Sequence, residues 1–170
     1  MRNIAKITIA KITIAITIAC AALGLTTAAA AHEPKQVLMP EDAAANALYE
    51  QFGFSKAVID RGTVYISGVI AGPAKEGQSN EDAIDEAFQA IGRTLERAGS
   101  SWEDVVDVTS FHTDLAVSGA PFVTVRHRYL KAPFAAWTAI DIDALYVPGA
   151  LVEIKVVAKV SSPKADAAAE

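Results

Sequence analysis

Cysteine is nearly absent from this chain of 170 residues: Cys20 is the only one, so no intramolecular disulfide, zinc–thiolate cluster or pair of redox thiols can be assembled. Histidine is scarce too, and His32, His112 and His127 are not spaced as metal ligands are. The expected complement of metals and cofactors is therefore none. Positive charge is short, with 15 Lys+Arg against 20 Asp+Glu and a net charge of −5, and no basic stripe with interleaved aromatics occurs. Such a chain repels phosphate backbones, which argues against a nucleic-acid partner. Gly-rich phosphate loops and nucleophile elbows are also missing.

What is present begins with a distinct N-terminus. Arg2 and Lys6 open a basic stretch, Ile12 to Leu25 is apolar, and Ala28 to Ala31 supplies small residues suited to cleavage. This is the pattern of a secretory signal peptide over residues 1–31, since the apolar run is shorter than the ~20 residues a membrane span needs. Its removal takes Arg2, Lys6, Lys11 and Cys20 with it, lowering Lys+Arg from 15 to 12 against 20 Asp+Glu and the net charge from −5 to −8. The mature protein is expected in the periplasm or outside the cell, thiol-free and not membrane-bound.

Residues 32–50 read as an N-terminal extension, polar and Pro-punctuated at first and then able to form a short helix over Glu41–Glu50. Lys56 to Ala71 is β-branched and apolar on either side of Arg61-Gly62, the signature of a hairpin. Ser79 with Asp82 three residues on predicts a capped helix start, and Ile84, Phe88, Ile91 and Leu95 continue at helical spacing to Gly99. Val105 to Asp114 reads as a strand, 114–121 as a loop and Pro121 to Lys131 as a second helix. Two strands follow, Ala135–Ala144 and Leu151–Ser161, separated by the turn Val147-Pro148-Gly149. Residues 162–170 are low-complexity and expected to be a disordered tail. Four or five strands and two helices predict an α+β fold, one mixed sheet with both helices packed on one face. Self-association is the expected cover for the other face.

Over residues 51–161 this order, with Phe52–Gly68, Glu81–Val106, TSFHTDL (Thr109–Leu115), AAWTAIDI and PGALVEIKVVA, resembles the Rid/YjgF family. The resemblance implies a RidA-like, chorismate-mutase-like fold, a homotrimeric barrel with ligand clefts between subunits, and hydrolysis of imine- or enamine-type metabolites. In deaminating members an arginine on the penultimate strand holds the substrate carboxylate; Trp137 stands at that place here. The family glutamate on the last strand, which serves the attacking water, is matched by Glu153. Ser55 and Ala139 fall where deaminating members often carry tyrosine and cysteine, while Ser67-Gly68 is kept. Phe54, Ser55, Ser67, Gly68, Trp137, Thr138 and Ala139 are thus the expected ligand-binding residues and Glu153 the catalytic one.

Each has a plainer reading beside the functional one. Glu153 and Lys155 alternate with Val152, Ile154 and Val156, as on a solvated strand face. Trp137 suits a pocket wall, the core or an interface equally. His112 is expected at a surface or strand end, and Arg126, His127 and Arg128 on the solvated side of their helix. Asp141 and Asp143 can join Glu153 as a carboxylate pair or merely mark a polar face. Two functions follow: a Rid-type small-molecule hydrolase, or a non-catalytic trimer that binds a metabolite or a partner. A Glu153 carboxylate that faces an enclosed cleft favours the first, and one that faces open solvent rules it out.

Overall fold

The turn Arg61-Gly62 organises the first half of the sheet. Positive φ angles of 47° and 69° at these two residues match the right-handed twist of paired strands and join β2 (Ala57–Asp60) to β3 (Thr63–Ala71). The structure is a computed structural model that describes residues 34–161. The expected export segment and tail lie outside the described residues.

β1 (Gln36–Leu38) pairs antiparallel with β2, so the sheet takes in part of the segment read as an extension. α1 (Ala43–Phe52) is capped by the Asp42 carboxylate, which accepts from the Ala45 N–H, and buries none of its residues. α2 (Asn80–Arg97) starts at the expected capping box between Ser79 and Asp82 and buries Ile84, Phe88, Ile91 and Leu95.

β4 (Val105–His112) runs into α3 (Leu115–Tyr129), and β5 (Ala136–Asp141) returns parallel to β4, as a strand–helix–strand crossover requires. β6 (Val152–Lys159) inserts antiparallel between β3 and β4, giving the order β1-β2-β3-β6-β4-β5. Among the described residues there are thus six strands and three α-helices: β1 exceeds the four or five strands expected, and α1 is the short helix expected over Glu41–Glu50. The mixed sheet has α2 and α3 against one face, where Val64, Ile66, Val108, Ile154 and Val156 meet Phe88, Ile91 and Phe122.

α3 corrects the expected loop over 114–121. Asp114 caps the helix by accepting from the Val117 N–H, and Pro121 lies inside it. Pro121 lacks the N–H that the Val117 carbonyl would receive, but Val117 is half exposed and water can take that place. The opposite sheet face presents Glu153, Lys155 and Val157 on β6, with Tyr65 of β3 next to Val157 and Ile140 of β5 two strands away, 48% and 39% exposed.

Candidate functional site

β3 and β6 fall out of step between Ile66 and Val69. Ser67 and Gly68 together oppose Lys155, an extra residue of the kind that bends strands beside functional sites. The bulge is pinned to the preceding loop: Ser67 Oγ donates to the Ser55 carbonyl at 2.7 Å and Ser67 N–H to the Lys56 carbonyl at 3.0 Å. Both polar groups of Ser67 that could serve as donors are thus already engaged.

The Glu153 carboxylate lies directly over Gly68. A Cβ placed on this glycine would stand 1.7 Å from Glu153 Oε1 and 2.5 Å from its Cδ. Gly68 is not among the positive-φ residues, so it serves here by leaving room. Glu153 and Gly68 belong to the wall of a cavity of about 490 Å³, with Leu48 and Phe52 of α1, Phe54, Ser67, Ile70, Tyr146 and Val147. Phe52 and Tyr146 meet edge to face at 5.8 Å, and Tyr49 stacks on Phe54 at 4.2 Å. The hollow is apolar and aromatic with one carboxylate, the usual make-up of a small-molecule site.

Four expected site residues, Phe54, Ser67, Gly68 and Glu153, are thus brought together, and Ser55 adjoins through its carbonyl. Trp137, Thr138 and Ala139 are not in this cavity. They lie on β5, an edge strand exposed along its whole length. Register sets Phe111 of β4 between Glu153 and Ile140, so Thr138 shares the Glu153 face two strands away and Trp137 and Ala139 point to the helix side. The Trp137 ring stacks on Phe122 at 5.5 Å, and its Nε1 donates to Ser110 Oγ at 3.0 Å.

Two expectations on the helix side change. His112 ends β4, as expected, but it is fully buried rather than at the surface, because alternation along β4 groups it with Val108 and Ser110 under α3. Its Nδ1 lies 2.7 Å from Ser118 Oγ and its Nε2 2.9 Å from Ser110 Oγ. Ser118 Oγ donates onward to the Asp114 carbonyl at 2.7 Å and so accepts from His112. A one-way chain follows: Trp137 Nε1–H to Ser110, Ser110 to Nε2, and Nδ1–H to Ser118. Burial holds the imidazole pKa below its usual value, with the Asp141 charge opposing, so the ring is neutral. Arg126 is only 5% exposed, not on a solvated face, because it lies one turn beyond Phe122 and beneath Trp137. Arg128 does face solvent, paired with Glu81 and Asp85.

Asp141 does not join Glu153; its carboxylate accepts from the Leu115 N–H at the start of α3. Sequence reasoning missed Leu48, Phe52, Ile70, Tyr146 and Val147. The available signal was an apolar residue pair one turn apart, Leu48 and Phe52, in a segment otherwise free of core residues. Among the described residues no group of three or more His, Cys, Asp or Glu is placed to hold a metal, and no helix is long and apolar enough to cross a membrane.

A mixed sheet with two helices on one face, and a glutamate over a bulged glycine on the other, define a small α+β protein with a candidate ligand site. The chain belongs to the Rid/YjgF family: the family model described as Endoribonuclease L-PSP matches residues 44–160. It is similar to the RutC family protein YjgH of Escherichia coli, 31% identical over an alignment of 119 residues, with 68% of this chain and 88% of that one covered. Among solved structures, RidA from an Antarctic Psychrobacter is 32% identical, with a TM-score of 0.56 over 62% of this chain and 87% of that one. The YjgF-family protein NMB1025 of Neisseria meningitidis has the same fold, with a TM-score of 0.63 over 78% of this chain and 99% of that one at 21% identity.

Proposed function

We propose that this chain is an exported Rid-type small-molecule hydrolase that acts on a C=N group. The observation that carries the reading is the Glu153 carboxylate, held over Gly68 in the wall of an aromatic cavity of about 490 Å³. In the scheme Glu153 takes a proton from water as the oxygen adds to the C=N carbon. The same proton then goes to nitrogen and gives a carbinolamine; Glu153 next carries the hydroxyl proton to nitrogen as the C=O forms and the C–N bond breaks, and a carbonyl compound and ammonia leave. Gly68 offers its backbone to the substrate and Phe52, Phe54 and Tyr146 hold its apolar body.

Glu153 and Trp137 lie on opposite faces of one sheet, so one copy cannot bring them together. The proposed cleft forms between copies in a homotrimer, with the Glu153 cavity of one protomer meeting the β5 edge of the next. With Trp137 in place of the strand arginine, simple 2-imino acids are poor substrates and larger apolar imines better ones. The net charge of −5 and the lack of a basic stripe argue against RNA as substrate. Export places the protein in the periplasm or outside the cell.

The second reading is a non-catalytic trimer that binds an aromatic metabolite or a partner, and the aromatic walls favour it. Ammonia release from freshly generated 2-imino acids, measured on the mature chain and on Glu153→Ala and Trp137→Arg, separates the two. Parent activity that vanishes in Glu153→Ala supports the hydrolase. An inactive parent that becomes active in Trp137→Arg means an intact scaffold turned to another ligand, and activity untouched by Glu153→Ala removes the assigned chemistry.

A further inference from the structure

We propose that Arg126 and Trp137 form a receptor for a carboxylate at the free edge of β5. The starting point is a charge without a partner. Arg126 is 5% exposed and its Nε, fully shielded from water, has no hydrogen-bond partner. Its one polar contact is from Nη2 to the Ala135 carbonyl at 3.5 Å, the outer limit of a hydrogen bond. Among the described residues no carboxylate lies within ion-pair distance of this guanidinium. Burial alone lowers its pKa, with no neighbouring charge contributing.

A buried cation without a counter-ion is strongly unfavourable. The Trp137 ring, its centroid 5.0 Å from Arg126 Cζ, offsets only a small part of that. A carboxylate is the group that would recover the rest, because the Nε–Nη side of the guanidinium matches its two oxygens with parallel hydrogen bonds. Phosphate matches the fork equally, but this acidic chain repels a dianion more strongly than a single carboxylate.

The surroundings are built to present the group. Phe122 and Arg126 stand one turn apart on α3, and the indole lies across both as a cover. The cover is anchored through Nε1 to Ser110 and so to His112 and Ser118. It is also 38% exposed on an edge strand open along its length, so the carboxylate enters beside Trp137 and displaces its ring from the guanidinium. The link between this receptor and the Glu153 cleft rests on the function proposed above; the receptor itself does not. The carboxylate can come from a small molecule or from an Asp or Glu of a second copy.

The test uses the mature chain with Trp102→Phe, so that Trp137 alone emits. It is titrated with benzoate and with neutral benzamide at fixed ionic strength, and its assembly is measured by sedimentation. The expected result is a saturable change in Trp137 emission with benzoate and none with benzamide, weakened at least tenfold in Arg126→Met. Arg126→Lys, which keeps the charge and loses the fork, should also bind benzoate more weakly while its circular dichroism matches the parent, which guards against a misfolded Met variant. If benzoate gives no signal but Arg126→Met and Arg126→Lys both weaken self-association, the carboxylate is supplied by a second copy. Equal benzoate affinity in parent and both variants overturns the proposal, as does silence toward benzoate with assembly unchanged. A failure to release ammonia from imines would leave all these outcomes readable.

Discussion

Gly68→Ala tests the central geometry without any assumption about substrate. The new methyl would begin 1.7 Å from Glu153 Oε1 and 2.8 Å from Cγ, whereas a carbon–oxygen contact needs over 3 Å, so the carboxylate must swing away by more than an ångström. Glu153 lines a cavity and has somewhere to go, so the cost is that of an overpacked, off-rotamer side chain, about 1–2 kcal/mol. With Glu153→Ala already in place the clash is gone. Alanine should then stabilise by about 0.4–1 kcal/mol, because it restricts the unfolded chain at a position whose φ suits an L-residue. The four urea unfolding curves of this double-mutant cycle should give a coupling of about 1.5–3 kcal/mol. Effects that agree within about 0.5 kcal/mol in the two backgrounds would refute the placement of Glu153 over Gly68.

Further outcomes follow from the same structure. Ser118→Ala removes the acceptor of the buried His112 N–H and should cost about 1–3 kcal/mol in urea unfolding; a loss below a few tenths would break the proposed chain of donors. Because burial lowers the folded pKa of His112 from the ordinary 6.5, the unfolded chain takes up a proton first. Its contribution to stability is therefore complete above about pH 6.5 and is lost as pH falls below it. The parent should lose more stability than His112→Asn between pH 7.5 and 5.5, and parallel losses would contradict the neutral ring. Arg61→Asn should raise stability by about 0.5–1 kcal/mol, since Asn tolerates the positive φ of the hairpin turn better than Arg does; a fall in the thermal midpoint would count against that turn.

Much of the fold was legible because local chemistry and tertiary placement agree. The Arg61-Gly62 turn, the Ser79–Asp82 box and the Ile84–Leu95 stripe each need only neighbours in sequence. α3 was misplaced at its start because Pro121 reads as a helix beginning, while the Asp114 cap that actually starts the helix follows directly on a strand and looks like its end. β1 has only three residues, too few for any period to show, and its pairing with β2 is a tertiary fact.

The site was half legible for a related reason. Period two along β6 correctly set Glu153 apart from Val152 and Ile154, but alternation says nothing about which face of a neighbouring strand a residue shares; that depends on register. Phe111 between Glu153 and Ile140 is what puts Trp137 on the other side. Arg126 escaped for want of the same information: beside His127 and Arg128 it looks like part of a solvated basic face, and Trp137, eleven positions on and brought back by the parallel return of β5, covers it. The two residues that depart most from ordinary patterning, an indole on an open edge and a cation under it, explain one another, because an exposed Trp137 shields apolar Phe122 and the unpaired Arg126 together. Trp137→Ala should therefore raise the exposure of both. The measurable sign is faster glyoxal modification of Arg126 than in the parent, and an unchanged rate would mean that something other than the indole buries the guanidinium.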